Sequence, residues 1–394
     1  MRIRSLFALM SAFGMMGATA QAATVDLTGI GYAQYGDALS YSMPLAQYQF
    51  DGNATPSSND KFYIDSSPGK IKDFIVVASS PASAKPNTDL FSGPGALPGG
   101  MDNGFDTPNS TGINFFKTGG AISPDPGNAG GSFNDLANSW DASLLSMKAY
   151  LAGEQMAFFF NNNQLNQGAE QSLAIWAQAW ITGPGGVVVD PDGLGPQSGY
   201  FDLTNHNSPY ALVSEGGGGV ILGDPTSYTN TAGKTSPTAI GANTDYILSG
   251  GQLCILSGAG PFNGALVPCA SAAPAGYTLL TVNHNLGANN AAYAAVIPEL
   301  NALMGGLFTS GADLSQYSLH LDIRMGCDPA LFGAVPTADI CDGGATGWGK
   351  NLNNGYEQIF IGTAILPTHQ VPEPETVALL GLGLLGMGLA RRKR

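Results

Sequence analysis

A mainly β fold is predicted: an antiparallel β-sandwich of jelly-roll type, with long Gly/Pro/Asn-rich loops and one or two short covering helices. Three observations predict it. The 394 residues include 55 Gly and 25 Pro, and only 11% are charged, a balance that favours short strands joined by many turns over long surface helices. Short apolar runs with a two-residue period recur along the chain, as half-buried strands require. Strand-like segments also stand at both ends of the region between the termini, which suits a closed sandwich better than an α/β fold.

The elements follow in order. Residues 24–35 open with alternating Val25, Leu27 and Ile30, and 41–50 continue as a second strand. Residues 62–64 and 71–78 flank the turn Ser66-Ser67-Pro68-Gly69 and predict a hairpin. Residues 81–131 form a loop-rich insertion of Gly, Pro, Asn, Ser and Asp, with 112–117 as its apolar island. A short helix is expected over 144–151, with Asp141 as N-cap. Residues 155–160 and 172–182 read as long strands; in the second, Trp176, Gln178 and Trp180 share one face and Leu173, Ile175, Ala177 and Ala179 the other. Residues 186–190, 210–213, 219–222 and 246–256 continue the strand series. Over 286–308 the spacing of Ala292, Val296, Leu300, Leu303 and Met304 turns helical, interrupted at Pro298. Residues 317–325 and 356–366 are the closing strands.

The two ends are of a different kind. Arg2 and Arg4 precede an apolar stretch and then Ala20-Gln21-Ala22, the order of a signal peptide over 1–22, with cleavage by signal peptidase after Ala22 or Ala23. An exported domain over 23–368 and a sorting and anchor segment over 369–394 complete the division. That last segment reads Val371, Pro372, Glu373, Pro374, then an apolar run over 377–390, then Arg391, Arg392, Lys393 and Arg394. The run has fourteen residues where a membrane crossing wants about 20, so spanning as a transmembrane helix would need local thinning of the bilayer. The terminal cations would hold the cytoplasmic side.

The proline motif, apolar run and basic end together resemble the PEP-CTERM tail of exported proteins in Gram-negative bacteria, a likeness confined to residues 371–394. The resemblance implies that Val371, Pro372, Glu373 and Pro374 are read as substrate by an exosortase-type membrane protease. It also implies transient membrane anchoring, then delivery to the cell surface or extracellular matrix.

With Arg2, Arg4 and the charged residues of the tail set aside, 27 acidic and 9 basic residues remain, a formal charge of −18. No Lys/Arg stripe is present to neutralise a phosphate backbone, so nucleic acid is not an expected partner. The four cysteines are Cys254, Cys269, Cys327 and Cys341, and an oxidising compartment makes disulfides the default. Of three pairings, Cys254–Cys269 and Cys327–Cys341 are favoured, since each encloses a short loop.

Chemistry is sparse. No Gly-x-Ser-x-Gly, His-Glu-x-x-His or phosphate-loop motif occurs, and no catalytic or cofactor-binding residue is assigned. His284 is expected in a surface or strand-end hydrogen bond. His320, alternating with Asp322 and Arg324, fits either a site or a solvated sheet face. Asp102 to Asp106 and Asp190 to Gly193 offer oxygen ligands for structural calcium, but neither completes a twelve-residue calcium loop, so side-chain-stabilised turns are the simpler reading. The expected function is that of a surface or matrix protein without evident catalysis, structural or adhesive in biofilm or exopolysaccharide. The alternatives are carbohydrate binding through Trp176 and Trp180, and a secreted glycan hydrolase.

Overall fold

Residues 24–35, 37–80, 87, 100–107, 115–118, 136, 138–163, 173–191, 199–203, 247–249, 252–261, 263–268, 272–287, 289–326, 352 and 357–366 are described in a computed structural model of the protein. The strands are β1 (Thr24–Asp26), β2 (Ala33–Tyr35), β3 (Ala38–Ser42), β4 (Ile75–Ser79), β5 (Phe105–Asp106), β6 (Phe115–Lys117), β7 (Trp140–Ser143), β8 (Gln155–Phe160) and β9 (Leu173–Thr182). They continue as β10 (Tyr200–Asp202), β11 (Ile247–Ser249), β12 (Gln252–Gly258), β13 (Leu266–Pro268), β14 (Tyr277–Asn283), β15 (Tyr293–Val296), β16 (Ser318–Gly326) and β17 (Ile359–Ile365). The helices are α1 (Met43–Asp51), α2 (Leu144–Leu151) and α3 (Pro298–Thr309).

The first sheet runs β2-β3-β15-β8-β17-β4-β5, with β1 beside β17. The second runs β10-β9-β16-β6, with β11 on β9 and β7 on β16; a small third sheet is β13-β12-β14. Central strands of the first sheet read as unbroken apolar runs because both their faces are covered. Thus Met156 to Phe160 of β8 and Ile359 to Ala364 of β17 are all buried. One hydrophobic core joins the two larger sheets, taking Phe158 and Phe360 from the first and Ile175, Ala179 and Leu321 from the second. The third sheet docks on α1 through a separate cluster of Leu45, Ile255 and Val282.

These pairings establish a mixed sheet-and-helix fold with several antiparallel strands. They do not confirm a closed jelly-roll sandwich, and two of the pairings, β1 with β17 and β4 with β5, run parallel rather than antiparallel. Expectation and structure agree at α2, β8, β9, β16 and β17. They differ over most of 41–50, read as a strand: only Tyr41 and Ser42 end β3, and the chain from Met43 folds as α1. Ser42 caps this helix, its Oγ accepting from the Leu45 N–H at 3.1 Å, and Pro44 sits in the first turn, where its missing donor is harmless. Residues 62–64 form no strand, so the expected hairpin is absent; β4 pairs instead with β17 and β5. The helical reading of 286–308 holds only after Pro298, which starts α3; the residues before it form β15. Asp141 is not the cap of α2, a role taken by Ser143, whose Oγ accepts from the Ser146 N–H.

Two expectations about the ends and the cysteines need correction. Among the described residues no helix is long and apolar enough to cross a membrane, so no transmembrane helix is found. The apolar run at 377–390, already short for a crossing, lies outside the described residues, as do the signal peptide and Val371 to Pro374. No complete disulfide bridge lies within the described residues either, so neither expected pairing is established. Cys254 is disulfide-bonded, whereas Cys269, Cys327 and Cys341 all lie outside them.

Candidate functional site

The second sheet aligns a row of polar and aromatic residues across four strands. Register places Asp141 of β7 opposite His320 of β16, His320 opposite Trp180 of β9, and Trp180 opposite Tyr200 of β10. Strand pleating sends residues two apart to the same face, so Thr182 of β9 joins this row from one step along. The His320 imidazole bonds Asp141 Oδ1 through Nδ1 at 2.7 Å and Thr182 Oγ1 through Nε2 at 2.7 Å. The indole of Trp180 stacks on it, with ring centroids 5.3 Å apart and planes 19° from parallel. Tyr200 then packs against Trp180 at 5.6 Å.

Carboxylate, imidazole and hydroxyl in this order are the components of an activated nucleophile, with the carboxylate orienting the ring and the ring accepting the hydroxyl proton. Access decides against that use. Asp141 and His320 are 0% exposed and Thr182 is 3% exposed, so no substrate carbonyl can approach the hydroxyl. Asp141 is also committed to structure. Its Oδ1 accepts from Ser139 Oγ at 2.7 Å, its Oδ2 from the Leu136 N–H, and its backbone N–H donates to Asp102 Oδ2 at 3.0 Å. A buried carboxylate persists only with such additional bonds. The array fastens β7, β16 and β9 to one another and to the segment carrying Asp102.

The other residues singled out in the sequence fall as follows. Asp322 and Arg324 form an ion pair at 2.7 Å along β16, neither fully solvated nor joined to the His320 array. Trp176 lies opposite Arg324 in the register, while Trp180 is half-buried between His320 and Tyr200, so the indole pair offers no open stacking platform at Trp180. Asp102 is buried and bonded to the β7 backbone, and Asn103 Oδ1 accepts from the Asn87 N–H. Among the described residues no group of three His, Cys, Asp or Glu side chains is placed to hold a metal ion. Asp192 and the histidines at 206 and 369 lie outside them.

His284 is buried rather than superficial. Its Nε2 bonds Ser42 Oγ at 2.7 Å, and its ring stacks on Tyr293 at 4.7 Å with planes 5° apart. Pinned this way, it fixes the end of β14 against the start of α1. Just beyond it a cleft of about 360 Å³ opens, lined by Tyr63, Asn283, Asn285, Leu286, Asn289 and Asn290, with Thr55 and Pro56 at one side. Sequence reasoning missed this cleft, although the run Asn283-His284-Asn285 and the pair Asn289-Asn290 were visible signals.

Comparison with known proteins adds two matches. Residues 370–394 match the PEP-CTERM protein-sorting motif, so the sorting tail is present. Residues 24–324 match a family described as a domain of unknown function, DUF8239. No curated protein and no solved structure matches the chain. Since the matched region takes in the first strand, both large sheets up to β16 and every helix described above, the chain belongs to the DUF8239 family.

Proposed function

We propose that this protein is an exported, non-catalytic component of the cell surface or extracellular matrix, structural or adhesive in biofilm and exopolysaccharide. The observation that carries the reading is the sorting tail at 370–394, which implies an exosortase-type partner acting at Val371, Pro372, Glu373 and Pro374. Signal peptidase first removes residues 1–22, and the tail then keeps the chain at the membrane of a Gram-negative cell until it is processed. The solvent-closed Asp141–His320–Thr182 array supports a structural rather than an enzymatic role. A glycan hydrolase would need two carboxylates facing one another across a cleft. The cleft beside His284 has none in its lining, which favours the non-catalytic reading.

The test is complementation of a gene deletion in the native host with three forms: the full chain, a chain ending at Gln370, and Thr182→Val. The full chain and Thr182→Val restore surface display and biofilm mass, and the shortened chain does not. Restoration by the shortened chain removes the sorting role, while a folded, displayed but inactive Thr182→Val protein points to catalysis instead.

A further inference from the structure

We propose that the asparagine-lined cleft at the end of β14 binds one neutral sugar residue of a polysaccharide. The volume of about 360 Å³ lies within the range of small-molecule sites, roughly 300–1,000 Å³. Its lining carries four carboxamides, from Asn283, Asn285, Asn289 and Asn290, and no charged side chain. Each carboxamide offers both a donor pair and an acceptor, matching hydroxyls that donate and accept at once. An anionic ligand would call for guanidinium or ammonium donors, and a hard cation for several carboxylates. A wholly apolar ligand would desolvate the amides without replacing their hydrogen bonds. The Tyr63 ring, Leu286 and Pro56 supply apolar surface for the C–H face of a pyranose.

The segments that carry the carboxamides are held in place before any ligand arrives. Asn283 Oδ1 accepts from the Asn285 N–H at 2.9 Å. The Ser66 N–H donates to the Asn289 carbonyl and the Ala291 N–H to the Ile64 carbonyl, both at 3.1 Å, so the segment carrying Tyr63 is tied to the segment carrying Asn290. Asp65, close enough to Tyr63 to act on its phenol, is engaged in its own turn, accepting from the Ser67 N–H at 2.9 Å. Asn290 is 5% exposed, and its side-chain oxygen has no hydrogen-bond partner. Its place in the cleft lining, with a soft terminal torsion, lets a small rotation present that oxygen to a ligand hydroxyl without breaking an existing bond. Burial and the Asp65 charge raise the Tyr63 phenol above its ordinary value, so it is a hydroxyl donor at neutral pH as any tyrosine is.

This inference rests on the surface-protein reading only for where the glycan is met. The test is affinity electrophoresis of the chain recovered from the cell envelope, through gels containing dextran, galactomannan or alginate. At least one neutral polymer retards the protein, its free monosaccharide reverses the retardation, and alginate has no effect. Asn290→Ala weakens retardation at least tenfold. Asn283→Trp, at an exposed position at the strand end, abolishes it by filling the cleft, with an unchanged melting temperature showing that the fold is kept. Trp180→Phe retains it. Absence of retardation by both neutral polymers, stronger binding to alginate, failure of the monosaccharide to compete, or unchanged binding by Asn283→Trp each overturns the proposal. Loss of binding with surface display intact would leave the surface role standing, so the two readings fail separately.

Discussion

Tyr150 is buried in α2, and its hydroxyl donates to the Ile361 carbonyl of β17 at 2.8 Å. Burial raises this phenol well above its ordinary value of 10.0, and burial followed by the neighbouring Tyr32 does the same for Tyr41. A phenol whose pKa is raised by folding favours its protonated form in the native state. Its contribution is complete below the unfolded value and is lost as pH climbs from there toward the folded one. The melting temperature is therefore expected to fall above about pH 10. In Tyr150→Phe the neutral-pH stability drops by about 0.5–1.5 kcal/mol while the alkaline fall becomes shallower. Melting curves at pH 7 and between pH 9 and 11 check both signs, and an alkaline slope unchanged in both Tyr150→Phe and Tyr41→Phe contradicts the assignment. At this scale the sequence pointed to His284 and His320 but not to their partners. Ser42 lies 242 residues from His284, and Asp141 and Thr182 lie 179 and 138 residues from His320. Periodicity tells which face a side chain shares, not which strand becomes its neighbour.

Among the elements, β17 is the most demanding of its own sequence. Gly362 passes so close to Phe159 and Phe74 that an added Cβ would meet ring carbons at 2.9 and 3.0 Å. The rings of Phe74, Phe159 and Phe360 pack on one another there, with centroids 4.8 to 6.2 Å apart. Gly362→Ala is accordingly expected to lower unfolding free energy by about 1–3 kcal/mol through overpacking, measured by urea titration. A change below a few tenths would show that the rings yield freely. Strands such as β8, β9 and β16 were legible because their alternation or apolar density is strong over six residues or more. The helix α1 was not, because Tyr41 to Phe50 carries apolar residues dense enough to pass for a strand. Ser42 and Pro44 were the available signals, a cap and a first-turn proline, and they outweigh propensity here. The cleft escaped notice for a different reason: its asparagines look like ordinary turn residues until β14, the 51–64 segment and the 283–290 segment are brought together.

For the whole molecule, the family match ends at residue 324, yet the first sheet is incomplete there. β17 bonds β8 along one side and β4 and β1 along the other. A chain ending at Gly326 therefore lacks a central strand and leaves Phe158, Phe159 and Val76 without their partners. It is expected to show no cooperative thermal transition and to bind an apolar dye, whereas a chain ending at Leu366 melts as the intact protein does. Cooperative unfolding of the shorter chain would place the boundary of the folding unit before β17.

The pairing of β1 with β17 also fixes the order in which the sheet can close. A chain made from its N-terminus has Thr24 to Asp26 long before Ile359 to Ile365, so the first described strand finds its parallel neighbour only when the last one exists. Until then the first sheet is open along its middle, between β8 and β4. The seam that seals last is therefore the one nearest in sequence to the sorting motif at 370–394.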